Sequence, residues 1–159
     1  LTARMIDGRA PTTGLRDQVL AHCGVDAADF APWFFREPAA KALRASVAPV
    51  VFSAWRAGDV AATDNVAHAV ADYILTAQAM TARMARDVEI AFGGGVINQG
   101  GPALQELLGA RLAAACPGAV QIPVALAPED GAVVLAGFQM GLPPRPLFET
   151  LALALETAR

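Results

Sequence analysis

The sequence predicts a helix-rich α/β fold with a short, partly parallel sheet and flanking helices. Two observations carry this. Through residues 1–86 apolar side chains recur at three- and four-residue steps, the mark of buried helix faces. From Asp87 the pattern changes to strand, helix, strand, helix: Asp87–Phe92, Pro102–Cys116, Ala119–Leu126 and Gly131–Gly141. Two strands joined by one helix run parallel with a right-handed crossover. The expected organisation is therefore a helical part, 1–86, an α/β core, 87–141, and a C-terminal helix, 146–159.

Each element has a local reason. Leu1–Ile6 reads as the last turns of a helix already under way, ended by Asp7-Gly8, which makes the chain a piece of something longer. Thr13 is placed to cap a helix over Gly14–Cys23, and Gly24 stops it. Asp26–Arg36 carries Phe30, Trp33, Phe34 and Phe35, an aromatic group suited to core or interface packing. Pro38 starts a segment whose apolar face is Leu43, Val47, Val50, Val51, Ala54 and Trp55, with Pro49 expected to kink or split it. Gly58 ends that helix and Asp59 caps the next, Val60–Arg86, the longest element. Its expected stripe is Thr63, Val66, Ala67, Val70, Ile74, Ala77, Met80 and Met84. His68 and Asp72, four apart, read as a surface pair.

In the second half, Val88, Ile90 and Phe92 alternate with polar or small residues. Leu104, Leu107, Leu108, Leu112 and Ala115 form the inward face of the crossover helix, which Cys116-Pro117-Gly118 ends. In the second strand Val120, Ile122 and Val124 alternate, and Pro123 demands an edge position or a bulge because it has no N–H. Pro143, Pro144 and Pro146 form a stiff connector to the last helix.

The bulk numbers set limits. The chain has 159 residues, enough for one domain. It is 55% hydrophobic and 17% charged, with mean hydropathy +0.41. No apolar run is long enough to span a bilayer. A chain this apolar is expected to bury surface against another domain or subunit, and a homodimer is the expected assembly. The net charge of −3, without basic clusters, excludes nucleic acid as the expected partner. Cys23 and Cys116 are far apart and form no C-x-x-C, which argues against a disulfide framework or a metal site within the chain. The expected compartment is the cytoplasm.

The stretch with most chemical content is Asp87–Asn98, DVEIAFGGGVIN. A strand that ends in Gly93, Gly94 and Gly95 and feeds a helix lets backbone amides approach a ligand. In open α/β sheets ligands sit at the carboxyl ends of strands, where these glycines fall. The spacing is not G-x-G-x-x-G, since Asn98 stands where the last glycine belongs, and no P-loop is present. Glycines at such a point also serve a tight turn with no ligand.

An ordered set of short motifs resembles a known family. These are DGRAPT at Asp7–Thr12, PVVFSAWRAGDVAA at Pro49–Ala62, IAFGGGVI at Ile90–Ile97 and LAPEDGAVVLAG at Leu126–Gly137. Their order and spacing resemble the C-terminal half of BadF/BadG/BcrA/BcrD-type ATPases, the group of N-acetylglucosamine kinase and bacterial glucosamine kinases. The resemblance implies a ribonuclease H-like, actin-like ATPase lobe holding the adenosine side of ATP. It maps the family's Gly-Gly onto Gly94 and Gly95, with Val96 following, its Gly-Ala pair onto Gly131 and Ala132, and its Gly-Asp onto Gly58 and Asp59, which already read as a helix stop and cap; with Gly93 and Asn98 of the same turn, the expected cofactor-binding residues are Gly93, Gly94, Gly95, Val96, Asn98 and Gly131. The implied activity is phosphorylation of an amino sugar such as glucosamine or N-acetylglucosamine, with ATP and Mg2+. The family's phosphate hairpin, its catalytic aspartate and most of its sugar-binding residues have no counterpart here. The expected partner for the chemistry is thus a missing N-terminal half, with no catalytic or metal residue in this chain and no activity from it alone.

Two other readings stand beside this one. One is an ATPase activator of a radical dehydratase or reductase, which requires cysteines for a bridging iron–sulfur cluster; Cys23 and Cys116, both at helix ends, suit that poorly. The other is a binding or oligomerisation domain without chemistry, motivated by the apolar content and by Trp33-Phe34-Phe35.

Overall fold

Helix boundaries in this chain are set largely by prolines, glycines and one carboxylate. The computed structural model describes residues 1–36, 42, 45–84 and 88–157. In chain order these form α1 (Thr2–Ile6), α2 (Gly14–Cys23), α3 (Ala27–Arg36), α4 (Ala48–Arg56), α5 (Val60–Thr81), β1 (Val88–Ala91), α6 (Gly95–Ala115), β2 (Ala119–Ile122), α7 (Pro128–Gln139) and α8 (Pro144–Thr157). The structure is a helix-rich α/β arrangement with a small two-stranded parallel sheet. The expected helix start at Pro38, its apolar residue Leu43, and the ends of the segments at Arg86, Asp87 and Arg159 lie outside the described residues.

Prolines act as starts in three places. Pro49 does not kink a longer helix; it stands in the first turn of α4, where a missing N–H costs nothing. Pro128 and Pro144 open α7 and α8, so α7 begins three residues and α8 two residues earlier than the apolar pattern suggests. Pro123 lies beyond β2, which stops at Ile122, so neither a bulge nor an edge position is needed to accommodate it.

Asp59 is the main polar joint. Its carboxylate accepts from Ala61 N–H at 2.9 Å and Ala62 N–H at 3.0 Å, capping α5 as expected. The same carboxylate accepts from Thr13 Oγ1 at 3.0 Å and from Leu15 N–H at 3.2 Å. Thr13 therefore does not cap α2 with its own side chain; it holds Asp59, which serves the first turn of α2 in its place. Burial pushes the Asp59 carboxyl up, but the hydrogen bonds from Ala62, Thr13, Leu15 and Ala61 outweigh this and hold its pKa below the ordinary 3.8.

With its start fixed, α5 serves two cores. Ala62 joins a cluster with Met5, Leu15, Val19, Phe30 and Ala54, which knits α1 to α4. Val66, Val70, Ile74 and Ala77 join the other, with Phe52 from α4, Phe92 after β1, and Leu104, Leu108 and Leu112 from α6. The core thus runs across the expected boundary at residue 86. The buried stripe of α5 is narrower than expected: Thr63, Ala67, Met80 and Met84 are exposed, and Ala62 takes the place of Thr63. In α3 the aromatic group splits: Phe30 is buried and stacks on Phe34 at 5.8 Å, while Phe35 is 78% exposed.

The strands pair in parallel, with Val88 opposite Ala119 and Ile90 opposite Gln121. Val88, Ile90, Ala119, Gln121 and Ile122 are the half-buried positions, and Glu89, Ala91 and Val120 are exposed. Of the residues expected inward on β2, Ile122 is half-buried, whereas Val120 is turned out at 60% exposure and Val124, beyond the strand, is 49% exposed. Among the described residues, the α7–α8 hairpin adds none to either core. It closes on itself where Leu147 and Leu142 pack over the bare Cα of buried Gly137.

Asp59→Ala removes acceptors from two helix starts and is expected to lower the unfolding free energy by about 2 kcal/mol at neutral pH, measured by urea denaturation. The folded pKa lies below the unfolded one, so this contribution is complete above the ordinary carboxyl value and is lost as pH falls through the folded pKa. The gap between wild type and variant is thus expected to close in acid; a gap that stays constant below the ordinary value contradicts the assignment.

Candidate functional site

The site is built from the end of β1 onward. Past Ala91 the chain turns Phe92 into the core, edge-on to Tyr73 at 6.2 Å. Gly93, Gly94 and Gly95 then lie exposed at the carboxyl end of the parallel pair. Gly93 has a packing reason: a Cβ there would meet Val124 Cγ2 at 2.8 Å, so the loop after β2 sits directly against the turn. Gly94 has a backbone reason. Its φ of 109° and ψ of 168° belong to a region essentially restricted to glycine. Gly95 has neither constraint, since a Cβ there meets open space.

The residues expected to form a loop between the glycines and Pro102 are instead helical. Gly95–Ala115 runs as α6, broken at Gly101, where φ is 67° and ψ −162°. The first arm is short and is held by Ile97, which is buried in the main core, and by Gly100, packed against Leu104. Two glycine-restricted positions, Gly94 and Gly101, thus bracket a turn and a half of helix. The expected helix start at Pro102 corresponds to the second arm.

The proposed ligand residues distribute as follows. Gly93 to Gly95 form the open turn. Val96 is half-exposed and lines a small cavity of about 110 Å³ with Tyr73 and Leu104. Asn98 is exposed, with its backbone N–H donating to the Gly94 carbonyl at 2.9 Å. Gly131 lies in the first turn of α7, where its N–H donates to Ala127 at 3.0 Å. It follows β2 as the Gly93–Gly95 turn follows β1, so both lie beyond the carboxyl end of the sheet. Five cavities of about 110 to 580 Å³ are lined by residues other than Gly93, Gly94, Gly95, Asn98 and Gly131.

A side-chain strap that the sequence does not announce holds the turn. Gln105 Nε2 donates to the Phe92 carbonyl at 3.1 Å, and its Oε1 accepts from Gln121 Nε2 at 2.7 Å. One amide pair thus ties α6 to the end of β1 and to β2. Gly109 lets the helix come this close, because a Cβ there would collide with the Gln121 amide oxygen. Gln121 on the helix-covered face of a strand is the one available clue, since a polar residue at an inward position needs a partner.

Other candidates resolve locally. His68 Nδ1 lies 2.8 Å from the Asp64 carbonyl and 3.5 Å from its carboxylate, so it pairs with Asp64 and not with Asp72. Cys116 is buried in the main core. Burial pushes the Cys23 thiol above its ordinary pKa, so it presents no ready thiolate. No family model matches this chain, and no curated protein matches it in sequence.

The two neighbouring glycines separate turn strain from open space. Gly94→Ala is expected to destabilise by about 1–3 kcal/mol, whereas Gly95→Ala is expected to stay within about 0.5 kcal/mol of wild type. Thermal or urea unfolding checks both, and equal effects at the two positions contradict the described turn.

Proposed function

We propose that this chain is the nucleotide-binding part of an ATP-dependent kinase acting on an amino sugar of the glucosamine or N-acetylglucosamine type. The observation that carries the reading is the glycine turn left open to solvent at the carboxyl end of a parallel strand pair. That is where open α/β sheets take their ligands. Backbone at Gly94 and Gly95 offers a flat floor for adenosine, with Asn98 one helical turn on and Gly131 at the corresponding point after β2. The Gly58-Asp59 pair takes no part: its carboxylate is committed to the starts of α2 and α5.

The sheet supports a lobe larger than two strands. Parallel sheets are covered on both faces and mostly hold four or more strands. Here β1 and β2 pair with each other alone among the described residues, and one face, with Glu89, Ala91 and Val120, stands open. Further strands of a ribonuclease H-like lobe fit that deficit. ATP with Mg2+ is the cofactor of this reading, and the phosphate-binding and catalytic groups belong to a preceding half.

A second reading, a binding or oligomerisation domain, is favoured by the α7–α8 hairpin. Phe138 and Leu153 are largely exposed there and Met140 is 82% exposed, an apolar surface that a partner could cover.

A thermal-shift titration separates the two. Adenine nucleotide at about 100 times its Kd stabilises a native-state binder by about 2.7 kcal/mol, a rise of several degrees. The expected result is such a rise for wild type with MgATP or ADP, and a reduced one for Gly95→Val, whose side chain projects over the floor. No rise with any adenine nucleotide, or an equal rise in the variant, overturns the nucleotide site.

A further inference from the structure

We propose that the cavity among α2, α3 and α4 binds a neutral aromatic small molecule that carries one hydrogen-bonding group. The cavity has a volume of about 360 Å³, in the range of sites that take small ligands. Its deepest residues are well covered: Leu15 and Val19 on α2 and Phe30 on α3 are 1%, 3% and 5% exposed. They belong to the cluster of α1 to α4, and none of the residues assigned to the nucleotide lines this cavity.

The lining selects the ligand. Phe30, Trp33 and Phe34 stand with ring centroids 5.8 to 6.4 Å apart and planes inclined by 29° to 56°. An inclined array of rings presents faces and edges together, and a further ring packs on it offset or edge-on. The aliphatic part of the lining comes from Leu15, Val19, Val47 and Val51. Among the described residues no charged side chain lines the cavity. A charged ligand would lose its hydration there without gaining a partner, so the ligand is neutral.

One polar group fixes its orientation. Asn65 on α5 lines the cavity and is exposed, which puts its amide at the mouth. That amide has no hydrogen-bond partner among the described residues, and it offers both a donor and an acceptor. A hydroxyl on the ligand meets it there while the ring enters the apolar interior, a surrounding that holds water poorly and apolar molecules well. Cys23 supplies a reporter. Its half-buried thiol lines the same cavity, whereas Cys116 is buried in the main core.

Calorimetry of the purified chain with 1-naphthol, together with alkylation of Cys23 by iodoacetamide, tests this. 1-Naphthol at about ten times its Kd is expected to bind and to slow Cys23 alkylation by about tenfold. Ala31→Trp puts a ring into the lining and is expected to weaken binding roughly tenfold or more. Asn65→Leu is expected to weaken 1-naphthol by roughly threefold to tenfold and to leave naphthalene, which has no hydroxyl, unaffected. Ala31 and Asn65 are exposed, so circular dichroism is expected to show unchanged helicity in both variants. No binding of 1-naphthol, or binding that leaves the alkylation rate of wild type unchanged, overturns the proposal without recourse to a variant. Full affinity in Ala31→Trp overturns the placement, and Asn65→Leu with no selective loss of 1-naphthol overturns the ligand class. None of these outcomes touches the nucleotide reading, which is scored by unfolding with adenine nucleotide.

Discussion

The Asp59 carboxylate joins segments 44 and 46 residues apart in sequence, and the placement of everything that follows depends on the joint. Without it, α5 would begin with free amides and α2 would have only Thr13 to start it. With it, two helix starts share one negative charge, which the positive ends of both dipoles favour. The consequence is geometric. α5 leaves this point with its phase already fixed, so Ala62 falls into the cluster of α1 to α4 and Val66, Val70, Ile74 and Ala77 fall into the cluster under α6 and β1. A helix rotated by one residue would put Thr63 and Ala67 inward and leave Ala62 and Val66 outside.

Much of this was legible because it is local. Thr13 and Gly24 bound α2, Asp59 starts α5, and the change of period at residue 88 marks the strand, all within a few residues of the signal. What escaped the sequence was tertiary. Gly100-Gly101-Pro102 reads as a loop, yet helix resumes on both sides of Gly101, because Ile97 has a core to enter and only a fold can supply one. Val120 reads as an inward strand residue and is outward, because Gln121 finds Gln105 above it. His68 has acidic residues four positions away on either side, and Asp64 wins because its carbonyl and its carboxylate both lie within reach.

The candidate site shows the same division. The glycine run and its position after a strand were plain in the sequence, and the structure leaves the turn exposed at that point. The separate duties of the three glycines were not. Gly93 yields to Val124, Gly94 takes a backbone conformation closed to other residues, and Gly95 alone is unconstrained by its surroundings. A glycine with no packing or backbone demand is the one whose presence a bound ligand can best explain. The Gln105–Gln121 strap, by holding the Phe92 carbonyl, fixes where the turn begins.

The uncovered surfaces of the molecule lie in different places and differ in kind. The outer sheet face offers Glu89, Ala91 and Val120 with unpaired strand edges, and backbone groups of that sort are satisfied by more strand. A valley between α5 and α6 has no free backbone, since both walls are helices; it offers shape and two opposite charges, Asp72 and Arg111, which are satisfied by side chains. One covering element cannot meet both demands.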